Sequence, residues 1–346
     1  MSVLLNMKIR GKSTRAIKKS NKIFKFFSSS KEYGFIRKSV LPNIERIIPI
    51  KIYIIIVRKL NKYSINKSIR MWREKREEIL SKDNICAENT ITLDDLGLEI
   101  EQRKILEIKA QKSREVVIAK IDQDGFYLSN FGLIKSLPLT NNELFTERKK
   151  FCVYLVMLNG ELCIKKDFKN NKVAFMNSLR ALYTLKQVGC NVPNLLDVDF
   201  DNLIFYMSFI LGDVLREELA KKGAVLRDCD VLDNPDYEKL NERESWYKRI
   251  YEGKQKLNEV IDSNFIKDLY NELSKIHVAH FIWNDVKYGN ILIERKTNKP
   301  YMIDFEFTEY FPFLGEKAFS YLRQKEIEMF NLHFDLSSME LEYSKK

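Results

Sequence analysis

The chain has 346 residues, 45% of them hydrophobic and 31% charged, with a formal net charge of +11. That much apolar material supplies one large or two modest folded cores and excludes a disordered polyelectrolyte. Five scattered cysteines with no CxxC pair, beside only three histidines, exclude a disulfide framework and a closely spaced zinc site, and they read as buried thiols of a reducing compartment.

Charge divides unevenly along the chain. Residues 1–80 hold 21 Lys and Arg against 5 Glu and no Asp, a net +16, whereas the remainder is net −5. The opening MSVLLNMKIRGKSTR has too short an apolar segment for a secretory signal. The longest apolar run, Ile47 to Val57, contains Pro49 and Lys51 and is too short to span a bilayer. These features place the protein in the cytoplasm. KKSNKIFKFF and ERIIPIKIYIIIVRKLNKY interleave cations with Phe, Ile and Leu, so residues 1–80 are expected to rest on an anionic membrane surface, peripheral on its inner face. Nucleic acid attracts the same charge, but no recognised nucleic-acid module accompanies it. A solvated basic arm with no dedicated partner is the plain alternative.

Residues 81–110 read as a polar linker and a helix, with Leu96, Ile100, Ile105 and Ile108 as a loose apolar stripe. EVVIAKIDQDGFYLSN suggests a hairpin turning at Asp124-Gly125. A second hairpin joins Phe151–Leu158 to Glu161–Phe168 through Asn159-Gly160, residues that tolerate the positive φ of a tight turn. Phe175, Leu179, Leu182 and Leu185 then recur at helical spacing before Gly189. Strands are expected around Leu195–Val198 and Leu203–Phe209, a helix from Asp213, an insertion or lid over the charged residues 225–260, and a helix from Asn264.

The segment HFIWNDVKYGNILIERKTNKPYMIDFEF carries the chemistry. A loop carboxylate, a lysine two residues later, an amide five residues later and a second carboxylate after two short strands suit phosphoryl transfer. Hard oxygen ligands hold Mg²⁺ across nucleotide phosphates, and a separate carboxylate orients the attacking hydroxyl. Asn290 and Asp304 fit the first role, Asp285 the second, and Lys287 can neutralise charge on the transferring group. Strands Ile291–Glu294 and Tyr301–Ile303 would bring both metal ligands to one end of a hairpin.

DVKYGN resembles the DxKxxN catalytic loop of the protein-kinase-like superfamily, and Asp304-Phe305-Glu306 stands where those proteins carry DFG. The resemblance implies ATP and Mg²⁺ as cofactors and an α+β, bilobal protein-kinase-like fold: a β-rich N-lobe, a compact helical C-lobe and a basic N-terminal extension. Leu162-Cys163-Ile164-Lys165 resembles the VAIK strand, so Lys165 would pair with the nucleotide phosphates and Cys163, on the same face, would meet the adenine. Lys166 competes from the opposite face. FMNSLRALYTLKQVGCNVPNLLDVD and FYMSFILGDVLREEL are similar to the helix and hinge of lipopolysaccharide core (Kdo and heptose) kinases and of RIO and Bud32-type kinases.

Three departures stand out. No acidic residue lies between Asp167 and Asp197, so the helix glutamate that anchors the strand lysine is missing, with Asn177 or Ser178 in its place. FTERKKF, with Arg148, Lys149 and Lys150, replaces a glycine-rich loop. Trp283-Asn284 replaces His-Arg before the base. About forty residues follow Glu306 with no APE-like segment, which implies a compact C-lobe. The organisation expected is thus an arm over 1–80, a linker and helix over 81–110, a kinase-like domain over 111–335 divided near 210, and a tail over 336–346. His277 is expected to pack or hydrogen-bond rather than catalyse. The reading is an ATP-dependent phosphotransferase acting on a hydroxyl of a lipid-linked glycan. The alternatives are a choline- or aminoglycoside-type kinase, an atypical protein kinase and a pseudokinase adaptor.

Overall fold

The computed structural model describes residues 48–80, 100–122, 125–128, 152–226 and 240–335. Expectations for the first 47 residues, for the linker 81–99, for FTERKKF up to Phe151 and for the last eleven residues lie outside them. The chain divides into two compact units, Met1–Ile65 with Phe311–Leu322, and Asn66–Tyr310 with Arg323–Lys346.

In the smaller unit, α1 (Ile50–Tyr63) follows Pro49, whose carbonyl accepts from the Ile52 and Tyr53 amides at 2.9 and 3.1 Å. α1 buries Tyr53, Ile54, Ile56, Val57 and Leu60. Among the described residues no helix is long and apolar enough to cross a membrane.

The larger unit is the bilobal α+β body. Its N-terminal lobe is a six-stranded antiparallel sheet of order β2-β1-β3-β4-β6-β5. The strands are β1 (Glu115–Asp122), β2 (Gly125–Leu128), β3 (Cys152–Leu158), β4 (Glu161–Asp167), β5 (Leu195–Asp199) and β6 (Ile204–Ser208). Asn159 and Gly160 adopt φ of 52° and 88°, which closes β3 on β4 with Leu158 opposite Glu161. The first hairpin also forms, with Asp122 opposite Gly125, so that Gly125 opens the second strand.

α5 (Lys172–Gln187) begins at Asn171, whose side chain accepts from the Ala174 amide, and is followed by Gly189 at φ 75°. Its apolar stripe buries Phe175, Leu179, Leu182 and Leu185 as the spacing implies. α2 (Ile65–Glu74) and α3 (Arg76–Ile79) lie against this lobe. Trp72 packs edge-on to Tyr183 at 5.3 Å, Arg73 meets Asp201 at 2.7 Å and Arg76 meets Asp197 at 2.6 Å. Arg114 also pairs with Asp197. Part of the basic excess therefore has partners inside the fold. α4 (Ile100–Lys112) precedes β1.

Gly212–Val214 forms β7 rather than the start of a helix, and α6 (Leu215–Lys221) follows it. The cause is long-range: β7 pairs with β9 (Ile291–Glu294), which pairs with β10 (Pro300–Met302). Gly212 is required there, because a Cβ would lie 2.6 Å from the Ile293 carbonyl oxygen.

Of the segment expected as an insertion or lid, residues 227–239 lie outside the described ones. The rest forms α7 (Glu242–Lys256), started by a reciprocal Asn241–Glu244 capping box and packed through Ile250 and Gly253. α8 (Ser263–Val278), capped by Asp262, leads to β8 (Phe281–Ile282), which pairs with β11 (Glu309–Tyr310). α9 (Glu316–His333) is the last helix among the described residues, and the boundary between the two units runs through it.

Candidate active site

The loop after β8 is shaped by residues that accept unusual backbone angles. Asn284 and Asp304 both sit at positive φ, 64° and 63°, where Asn and Asp are the side-chain-bearing residues best tolerated. Asp285 is half-buried; its Oδ2 accepts from Lys287 Nζ and from Asn290 Nδ2, both at 2.8 Å. Asn290, 3% exposed, also donates to the Asp285 carbonyl at 3.0 Å. Its amide nitrogen is thus committed to Asp285, and its Oδ1 is the end left for a cation. The Ile303 amide donates to the Asn290 carbonyl at 3.0 Å, so the β9–β10 hairpin carries Asp304 back beside Asn290. Asn284 Nδ2 donates to the Phe307 carbonyl and to Glu309 Oε2, each at 3.1 Å, and ties the two loops together. Phe305 is buried against Trp283, with ring centroids 6.0 Å apart.

The sheet contributes a different lysine from the one expected. β4 turns Lys166 to the site: its Nζ lies 2.5 Å from Asp304 Oδ1 and 3.4 Å from Glu306 Oε2. Lys165 points the other way, to Glu115 Oε1 at 2.7 Å and over the Tyr206 ring, and Glu115 Oε2 accepts from the Tyr206 hydroxyl at 2.5 Å. Cys163 shares that opposite face, fully buried with Val156 and Leu158. The alternation that separates the two lysines holds, but Asp304 and Glu306 lie on the Lys166 side. Asn177 donates from α5 to the Glu306 carbonyl at 3.1 Å, while Ser178 is buried with its hydroxyl unbonded. The second anionic partner of the strand lysine is thus Glu306, not a helix carboxylate.

The charges respond to this packing. Burial opposes the charge on Lys166, yet Asp304 and Glu306 outweigh it and raise its pKa. Burial likewise works against ionised Asp304, but Lys166 and then Lys287 hold it below the usual carboxylate range. Burial, followed by the charge of Asp304, pushes Glu306 up to about 7, with Lys166 opposing the rise.

Glu326 of α9 is a site residue that the sequence reading missed. Its buried carboxylate accepts from the Asn284 amide at 2.6 Å and the Trp283 amide at 3.2 Å, and lies 2.8 Å from His277 Nε2. His277 thus has the bonding role expected of it. The available signal was spacing: Glu326 falls midway between Leu322 and Phe330, four residues from each, and so puts a carboxylate on an apolar helical stripe. Tyr288 anchors the same loop from below, its hydroxyl within 2.9 Å of the His333 carbonyl and 3.2 Å of the Ile250 carbonyl.

Among the described residues no cluster of three His, Cys, Asp or Glu side chains is set to hold a metal unaided. Asp304 and Asn290 would offer two hard oxygens, and a magnesium ion held there would draw its other ligands from phosphate oxygens and water. A cavity of about 660 Å³ elsewhere on the N-lobe, lined by residues that include Arg70, Arg73, Lys169 and Lys172, shares no lining residue with this cluster.

No protein-family model matches the chain. Over 139 residues it is 26% identical to the EKC/KEOPS complex subunit bud32 of Dictyostelium discoideum, a stretch that covers 40% of this chain and 43% of that protein. The chain thus spans less than half the length of the curated relative it matches. With the bilobal α+β fold, this similarity supports the protein-kinase-like superfamily at a general level.

Proposed function

We propose that the chain is an ATP- and Mg²⁺-dependent phosphotransferase to an alcohol group. Asp285 would orient the acceptor hydroxyl and take its proton as the new oxygen–phosphorus bond forms and the bond from the γ-phosphorus to ADP breaks. Lys287 would stabilise charge on the transferring phosphoryl group, and Asn290 with Asp304 would hold Mg²⁺. Lys166, rather than Lys165, would bind the nucleotide phosphates, with Glu306 as its anchor. The supporting observation is the convergence of Lys166, 138 residues before Asp304 in sequence, on the carboxylate that the Ile303–Asn290 backbone bond holds beside the catalytic loop.

For the acceptor, we propose a hydroxyl of a lipid-linked sugar, a reading supported by the interleaved cations and apolar residues of the first eighty positions. A protein hydroxyl is the second reading, on the resemblance of DVKYGN and Asp304-Phe305-Glu306 to the motifs of the protein-kinase-like superfamily. The test is turnover of ATP with Mg²⁺ by wild type beside Asp304→Ala and Asp285→Ala, with and without anionic vesicles. Activity lost in both variants supports the reading; wild type and variants equally inert point to a pseudokinase adaptor.

A further inference from the structure

The sheet face that carries Lys166 continues along β4 through Ile164 and Leu162. A strand advances roughly 3.3 Å per residue, so Ile164 stands about 7 Å from Lys166 and Leu162 about 13 Å. A nucleotide whose phosphates reach Lys166 must lay its base over that stretch. The stretch is already covered. Leu106 of α4, 1% exposed, is packed in one cluster with Ile118, Leu155, Leu162 and Ile164, and Met207 and Phe209 close the rim.

α4 is an odd choice for a permanent wall. Beyond Leu106 it buries Gln102, whereas Ile100, Ile105 and Ile108 are 62%, 42% and 51% exposed. At about 100° per residue those three isoleucines lie on the side of the helix away from Leu106. The docked helix therefore leaves its more apolar face in water and meets the apolar face of the sheet through Leu106, with the half-buried Ala110 beside it.

We infer that α4 is a displaceable plug of the nucleotide cleft: Leu106 occupies the place of the base, and ATP binds only when the helix leaves the sheet. This rests on the nucleotide-binding reading above and adds regulation of that site. A site open for one tenth of the time shows an affinity about tenfold weaker than its intrinsic value.

The experiment titrates the full-length protein with N-methylanthraniloyl-ATP and Mg²⁺, comparing wild type, Leu106→Glu and, as a control on the exposed side, Ile105→Glu. Binding about tenfold tighter for Leu106→Glu, with Ile105→Glu unchanged, is the expected result. Equal or weaker binding by Leu106→Glu beside a wild type that binds would overturn the plug and leave the nucleotide reading standing. No binding by any of the three proteins overturns both. Should Leu106→Glu fail to fold by circular dichroism, hydrogen exchange of the wild type decides. Amides 103–110 exchanging faster on addition of ATP and Mg²⁺ support the plug, and slower or unchanged exchange refutes it.

Discussion

Lys166 Nζ lies 2.5 Å from Asp304 Oδ1, while its chain neighbour Lys165 binds Glu115 on the opposite face of the sheet. Under the proposed function only the first would touch a nucleotide whose metal Asp304 held. Lys166→Met is expected to lower ATP turnover by about 10²–10³-fold, as for removal of a charge-stabilising donor, and Lys165→Met by less than about threefold. Steady-state kinetics on the two variants checks this, and a larger loss in Lys165→Met would return the role to that residue. Lys166→Met also leaves Asp304 and Glu306 facing each other without their cation, and a loss of about 3 kcal/mol in chemical denaturation is expected.

Glu306 takes the place of the glycine in the DFG motif that Asp304-Phe305-Glu306 resembles, and its side chain is 9% exposed beside Lys166. Glu306→Gly removes one of the two anions that hold the lysine. The KM for ATP is expected to rise by about tenfold, the effect of losing about 1.4 kcal/mol of positioning. A solvent-facing charge at this position would leave KM unchanged.

Glu326 accepts from two backbone amides of the catalytic loop and faces His277, all in the interior. Glu326→Ala strands these groups without partners, at a cost of about 3 kcal/mol in urea denaturation. Glu326→Gln keeps an acceptor but turns an N–H₂ group toward the remaining donors, so its loss should be intermediate. A variant as stable as wild type would show that water replaces the carboxylate.

Cys163 and Cys190 are 0% and 2% exposed, and burial pushes each thiol up to about 12. At pH 8 the thiolate fraction is then about one in ten thousand. Iodoacetamide at pH 8 should leave both peptides unlabelled in the native protein and label them fully in denaturant, by mass spectrometry. Native labelling of Cys163 would show that β4 opens or that its thiol faces the cleft.

Local order was legible: DVKYGN and DFE are joined by a short hairpin that brings Asp304 beside Asn290, and Asn159-Gly160 marks its hairpin through backbone preference alone. What stayed hidden depends on contacts far along the chain. Alternation puts Lys165 and Lys166 on opposite faces, but which face meets the cleft is decided by where Asp304 lands. Gly212–Val214 becomes a strand because β9 lies beside it, eighty residues later. Glu306 and Glu326 are surface-like letters in a charged sequence, and only their partners Lys166, Trp283 and Asn284 give them a role.

Gly253 links the helical lobe to the catalytic loop. A Cβ at this position would lie 2.4 Å from the Tyr288 ring, well inside contact distance. Tyr288 cannot yield cheaply: it is 4% exposed, its hydroxyl is fixed by the Ile250 and His333 carbonyls, and its ring packs edge-on to Phe334 at 5.5 Å. Tyr288 also opens the short 3₁₀ turn that ends at Asn290. Gly253→Ala is therefore expected to destabilise the fold by about 1–3 kcal/mol through overpacking. By pushing Tyr288 it should also shift Asn290 relative to Asp304 and lower kcat at saturating ATP by about tenfold, with a larger Mg²⁺ requirement. Raising Mg²⁺ in the assay separates the two effects: activity restored by the cation locates the damage at Asn290, whereas activity that follows only the folded fraction would confine Gly253 to packing.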